Sequence, residues 1–137
     1  MSTHCTISHI LPDGTYEGIY VHSDGYPDWM GNMLKEHYAT QELADSLVAL
    51  GDASCIYPKL SPDASRPHTF ENRQEGVCLF YHRDRGDDWA DAMPTRAKSY
   101  PALLHKFANH HHYLFKDGQW YYRGDSDAID IPVSEVE

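Results

Sequence analysis

The chain has 137 residues, 41% of them hydrophobic, with 21 acidic against 11 basic side chains and a formal net charge of −10. That length fits one domain with a sizeable core. The charge disfavours binding to phosphate backbones, and no apolar run approaches the roughly 18 residues of a membrane span.

Met1-Ser-Thr-His-Cys5 lacks a basic region followed by an apolar stretch, so the expected setting is cytoplasmic. The cysteines, Cys5, Cys55 and Cys78, are far apart and lack metal-finger spacing, and they read as small buried hydrophobes. Residues 4–11 and 15–22 are rich in β-branched and aromatic side chains and flank Asp13-Gly14, a pair that favours a two-residue hairpin turn. That register opposes Ile7 to Tyr20 and Cys5 to His22, with apolar residues on both faces and therefore cover on both sides.

Asp24-Gly-Tyr-Pro27 closes the strand and opens a helix, with Pro27 suited to its first position. Trp29, Met30, Met33, Leu34, His37 and Tyr38 then recur at helical spacing. Thr40 is a good N-cap for a second helix carrying Leu43, Leu47 and Leu50, and Gly51 stops it. Residues 58–76, with Pro58, Pro62 and Pro67, read as a long loop, either a lid or a binding loop. Val77–Tyr81 is the strongest strand signal and is expected at the sheet centre, followed by a charged turn over 82–88. A short helix burying Leu103, Leu104 and Phe107 is expected within 100–109. Finally Tyr113–Lys116 and Gln119–Tyr122 flank Asp117-Gly118, a second hairpin opposing Phe115 to Trp120 and Tyr113 to Tyr122.

These segments predict an α+β domain over residues 1–123. It is an antiparallel sheet with N-terminal and C-terminal β-hairpins, packed against two or three helices. Residues 124–137, with five acids and no base, read as a loose tail.

The segments Gly18-Ile-Tyr-Val-His-Ser-Asp-Gly-Tyr-Pro27, Leu34-Lys-Glu-His-Tyr38, Leu50-Gly-Asp-Ala-Ser54, Tyr81-His-Arg-Asp-Arg-Gly86 and Tyr113-Leu-Phe-Lys-Asp-Gly-Gln-Trp-Tyr-Tyr-Arg123 together resemble a family of small uncharacterised proteins of bacteriophages, prophages and mobile elements. The first is similar to that family's Y-x-H-W-D-G-Y segment, with Ser23 where relatives often carry Trp. The resemblance implies a phage or mobile-element origin and a partner among host or defence proteins. It supplies no catalytic residues.

Read residue by residue, His22 and Asp24 would suit a metal or a base with its orienting carboxylate, against a structural role in which Asp24 caps the helix and Gly25 supplies an unusual backbone angle. The structural role is favoured. His37 reads as a partly buried histidine of the apolar stripe. His82-Arg83-Asp84-Arg85 reads as a charged turn with Arg pairing to neighbouring Asp and an interface role open to it. In His110-His-His112 only the outer two would face the same way on a strand, which is poor metal geometry. Cys5 opposite His22 is the sole nucleophile–base pair the register offers, in an acidic setting unfavourable to a thiolate.

The leading expectation is thus a non-enzymatic, cofactor-free protein that binds and modulates a host or defence protein through Tyr26, Trp29, Arg83 and Arg85. One alternative is a small metal-dependent hydrolase or nucleotide-binding protein using His22, Asp24, His37 and His82. Another is an acidic mimic of nucleic acid.

Overall fold

The computed structural model describes residues 3–124 and 131–133. Among them the chain builds an 8-stranded, mostly antiparallel sheet with helices on both faces, an α+β architecture. Both hairpins form, but their turns differ. β1 (Cys5–Ile10) and β2 (Tyr16–Val21) pair with Cys5 opposite Val21 and Ile7 opposite Ile19, one residue away from the register expected for a two-residue turn. The cause lies at Pro12. Its fixed φ suits the second position of a type I turn, so the loop takes three residues, Pro12-Asp13-Gly14. Gly14 N–H donates to Leu11 O at 2.9 Å, Leu11 N–H donates to Thr15 O at 2.8 Å, and Gly14 alone in the loop has positive φ, +86°. No proline precedes Asp117-Gly118. There both residues adopt positive φ, +52° and +81°, and the two-residue turn sets β6 (His111–Lys116) on β7 (Gln119–Gly124) with the expected register, Phe115 opposite Trp120 and Tyr113 opposite Tyr122.

A one-residue slip moves every side chain to the other face. Cys5, Ile7, Ile19 and Val21 therefore share one face and enter the main core, with Tyr113, Phe115 and Trp120 of the second hairpin. Tyr100, Leu103 and Leu114 make a smaller core on the opposite face, flanked by Ile10, Tyr16 and Phe107. The sheet is covered on both sides, as the two apolar faces of the strands require.

The strand order is β4 (Leu79–Phe80), β3 (Ala53–Cys55), β2, β1, β6, β7, β8 (Ile131–Pro132). The two hairpins join through parallel β1 and β6, Thr6 opposite His112 and Ile7 opposite Tyr113. Over the main core run a π-helical turn, Pro27–Gly31, then α1 (Asn32–His37) and α2 (Gln41–Ala49). Met30, Leu34, Tyr38, Leu47 and Val48 are buried there, each apolar side chain contributing roughly 1.5–3 kcal/mol. His37 departs from the stripe it was placed on: its side chain is exposed, 3.9 Å from Glu36. Thr40 Oγ1 accepts from Leu43 N–H at 3.2 Å, the expected cap.

The Val77–Tyr81 run is not the central strand. Only Leu79–Phe80 (β4) joins the sheet, on β3 (Ala53–Cys55) at its edge, while Val77 makes an isolated parallel bridge with Lys59. Its residues are apolar because the 58–76 loop folds over that edge: Cys78 N–H donates to Lys59 O and Lys59 N–H to Gly76 O. The expected charged turn is a helix, α3 (Tyr81–Arg85), followed by α4 (Trp89–Ala92) and by β5 (Thr95–Ala97), which pairs with β2. α5 (Tyr100–Leu104), capped by Ser99, covers the second face.

Of the stretch read as a tail, Gly124 ends β7, β8 (Ile131–Pro132) pairs with β7, and Val133 packs into the main core. Residues 125–130 and 134–137 lie outside the described residues. No helix of the described residues is long and apolar enough to cross a membrane.

Candidate functional site

α3 and α4 form a corner outside the sheet edge, and the sequence dictates how it is held. Phe80 is extended, and Asp84 reaches back one turn so that its carboxylate accepts from Phe80 N–H at 2.8 Å. Arg83 lies over the Phe80 ring and grips Asp84 with Nε at 2.9 Å and Nη2 at 3.0 Å. The same guanidinium donates to Leu60 O at 2.7 Å and to Cys78 O at 2.9 Å. Buried Gln74 and His68 complete the fastening. Gln74 Nε2 donates to the carbonyls of Asp63 and Arg66, while His68 accepts from Gln74 N–H and donates from Nε2 to Cys78 O. The 58–76 segment is thus tied down by side chains at many points, unlike a lid. Arg83 is the fastening and offers little of itself to a partner.

Arg85 is different. Its guanidinium sits 4.6 Å from the Tyr81 ring and 5.2 Å from the Phe70 ring, with those two rings 5.5 Å apart. Asp87 accepts from its Nε and Nη2 at 2.8 and 2.7 Å, which fixes the side chain while leaving it 51% exposed. Mutual attraction holds the Asp87 carboxyl below and the Arg85 guanidinium above their ordinary pKa ranges. One turn along the corner, His82 donates to Asp87 O at 2.8 Å and meets Trp89 edge-on at 5.1 Å. Trp89 and Met93 are 41% and 48% exposed and border a cavity of about 480 Å³ with Ala49, Pro94, Glu17 and Arg96.

The structure scatters the other expected site residues. Tyr26, 40% exposed, precedes the π-helical turn and offers no side-chain cap, and Trp29 packs edge-on against Tyr57. The unusual backbone angle belongs to Asp24 itself, φ +60°, and Gly25 is required for space, since a Cβ there would lie 2.6 Å from that of Cys5. His22 follows β2, Asp24 lies two residues further on, His37 ends α1 and His82 lies in α3. Among the described residues no three His, Cys, Asp or Glu are grouped to hold a metal ion. Cys5 faces Val21 and not His22, and burial pushes its thiol well up. No family model, curated protein or solved structure matches the chain. The chemistry is therefore read from this geometry.

Two polar clusters escaped the sequence reading. Tyr20 Oη lies 2.8 Å from His22 Nδ1 and 3.1 Å from His4 Nδ1, and His4 Nδ1 also donates to His22 O at 2.6 Å. Beside them Asp52 accepts from Tyr20 N–H at 2.9 Å, and burial pushes its carboxyl up to about 6. The second cluster is His9, 4% exposed, between Glu17 and Asp45. His9 and Glu17 face each other only in the observed hairpin register, and Asp45 and Asp52 come from segments distant in sequence. Trp89 and Met93 were missed for another reason: they fall in the 89–98 stretch, whose pattern fits neither helix nor strand period.

Proposed function

We propose that this chain is a non-enzymatic binding protein that engages another protein through the α3–α4 corner. The observation that carries this reading is the Arg85 guanidinium, immobilised by Asp87 and stacked on Tyr81 and Phe70, next to exposed Trp89 and Met93. Arg, Trp, Tyr and Met are the side chains enriched at interface cores, and side chains already fixed lose little entropy on docking. Arg85 stays from the surface expected from sequence; Tyr81, Trp89 and Met93 take the places assigned to Tyr26, Trp29 and Arg83. The cavity beside Trp89 suits an apolar side chain of the partner, with the Arg96–Glu17 pair along one wall. The resemblance to phage and mobile-element proteins makes a host or defence protein the first partner class to test.

The experiment is a quantitative pull-down from host lysate with the natural chain, Arg85→Ala and Trp89→Ala, all verified as folded by thermal melts. The expected result is one protein enriched by the natural chain and reduced at least about tenfold by either substitution. Enrichment that survives both substitutions would sink the assignment of this surface.

A further inference from the structure

The cavity beside Trp89 is apolar along most of its wall. Ala49 of α2 lines it together with Trp89, Met93 and Pro94, and Trp89 and Met93 are 41% and 48% exposed. Around it the cations are engaged. Arg96 Nε donates to Glu17 Oε2 at 2.8 Å, and Arg85 is held by Asp87 through Nε and Nη2. His82, which meets the Trp89 ring edge-on, is tied through Nδ1 to Asp87 O.

Two anions beside the cavity are not engaged. Asp88 and Asp91 are exposed, and among the described residues neither carboxylate has an ion pair or a hydrogen bond. Asp88 stands at the N-cap of α4, where an aspartate ordinarily turns back to accept from the helix. Here the Asp91 N–H donates to the main-chain carbonyl of Asp88 at 3.0 Å, and the Asp88 carboxylate stays outside the helix. Positions three apart lie on one side of a helical turn, so the two carboxylates flank the side that carries Trp89 and Met93. Met1, Ser2 and residues 125–130 and 134–137, outside the described residues, contain no Lys or Arg side chain to neutralise them. The net charge of −10 adds to the same field.

Taking the α3–α4 corner as the interface, on which this inference rests, we propose that the partner segment seated there is basic. An apolar side chain of that segment enters the cavity against Trp89 and Met93, and a neighbouring Arg or Lys pairs with Asp88 and Asp91. Opposite charge at the rim of an apolar contact sets which partner is accepted and speeds its arrival. A long cationic side chain can also lay its stem on the indole while its head stays in water with the carboxylates. A second copy of this chain, with the same negative charge, is disfavoured as the occupant.

The test is selection of displayed random dodecapeptides on the natural chain, with Trp89→Ala and Asp88→Asn/Asp91→Asn as comparison targets. The two carboxylates make no contact within the chain, so the double variant should melt like the natural protein. Peptides that fail to bind Trp89→Ala are expected to carry Arg or Lys at about three times the library frequency or more, and to bind the double variant at least about tenfold more weakly. Their affinity for the natural chain should fall at least about threefold between about 50 and 300 mM salt. Trp89-dependent peptides that lack the basic excess, ignore the double substitution or ignore salt would overturn the basic partner and leave the corner as an interface. Recovery of no Trp89-dependent peptide would overturn both.

Discussion

His9 Nε2 lies 2.8 Å from Glu17 Oε1, across the first hairpin, on a ring only 4% exposed. Its other nitrogen, Nδ1, lies 2.5 Å from Asp45 of α2, and the far oxygen of Glu17 accepts from Arg96 Nε of β5 at 2.8 Å. The ring thus bridges two carboxylates through its two nitrogens. The cluster ties α2 and β5 to the sheet, with buried His9 and Glu17 at its centre and exposed Asp45 and Arg96 at its ends.

Breaking such a set is costlier than removing it whole. His9→Leu leaves Glu17, 10% exposed at its side chain, with Arg96 alone, and should destabilise the fold by about 3 kcal/mol. The His9→Leu/Glu17→Leu double variant should lose less than the sum of the single changes. Urea melts of the four proteins give the coupling directly, and strict additivity would contradict it.

Asp52 sets a pH dependence of known sign. Burial raises its carboxyl to about 6, against about 3.9 in an unfolded chain. Its contribution is fully present below about pH 3.9 and is lost as pH rises through about 6, because the folded state then holds a poorly hydrated charge. Water still reaches the group, so the loss is about 1 kcal/mol. Asp52→Asn retains the acceptor for Tyr20 N–H and should be the more stable protein at pH 7.5 but not at pH 4, in paired thermal melts.

The two arginines of α3 should separate cleanly. Arg83→Ala strips the buried Asp84 carboxylate of its Arg83 ion pair, frees Leu60 O and leaves Cys78 O to His68 alone, costing about 2–4 kcal/mol and opening residues 58–76 to protease. Arg85→Ala, on an exposed pair, should cost under about 1 kcal/mol. Equal losses in both would refute the division between fastening and surface.

Much of this fold is legible in local chemistry. Thr40 as a cap, Asp117-Gly118 as a two-residue turn and the aromatic pairs of β6 and β7 each depend on residues within a few positions of one another. The first hairpin misleads because Asp13-Gly14 was read without Pro12, a residue that changes the turn and reverses the faces. Val77–Phe80 misleads because burial under a loop leaves the same apolar signature as burial between strands. The site lay deeper still: nothing near Arg85 in sequence announces Phe70, and Trp89 sits in a segment without period.

All three thiols are free and buried, and burial raises the pKa of each. Native protein at about pH 8 should react slowly with an aromatic disulfide reagent, and all three groups should titrate once it is unfolded. A single fast thiol in the native protein would mean that Cys5, Cys55 or Cys78 is less enclosed than described.

The parallel seam between β1 and β6 orders events during synthesis. Ser8 Oγ donates to the carbonyl of Tyr113, 105 residues later, so the first hairpin leaves the ribosome long before its neighbour exists. Until then β1 presents a bare apolar edge, the kind of surface on which chains clump. A ribosome stalled ahead of His111 would therefore yield a sticky fragment rather than a smaller version of the protein.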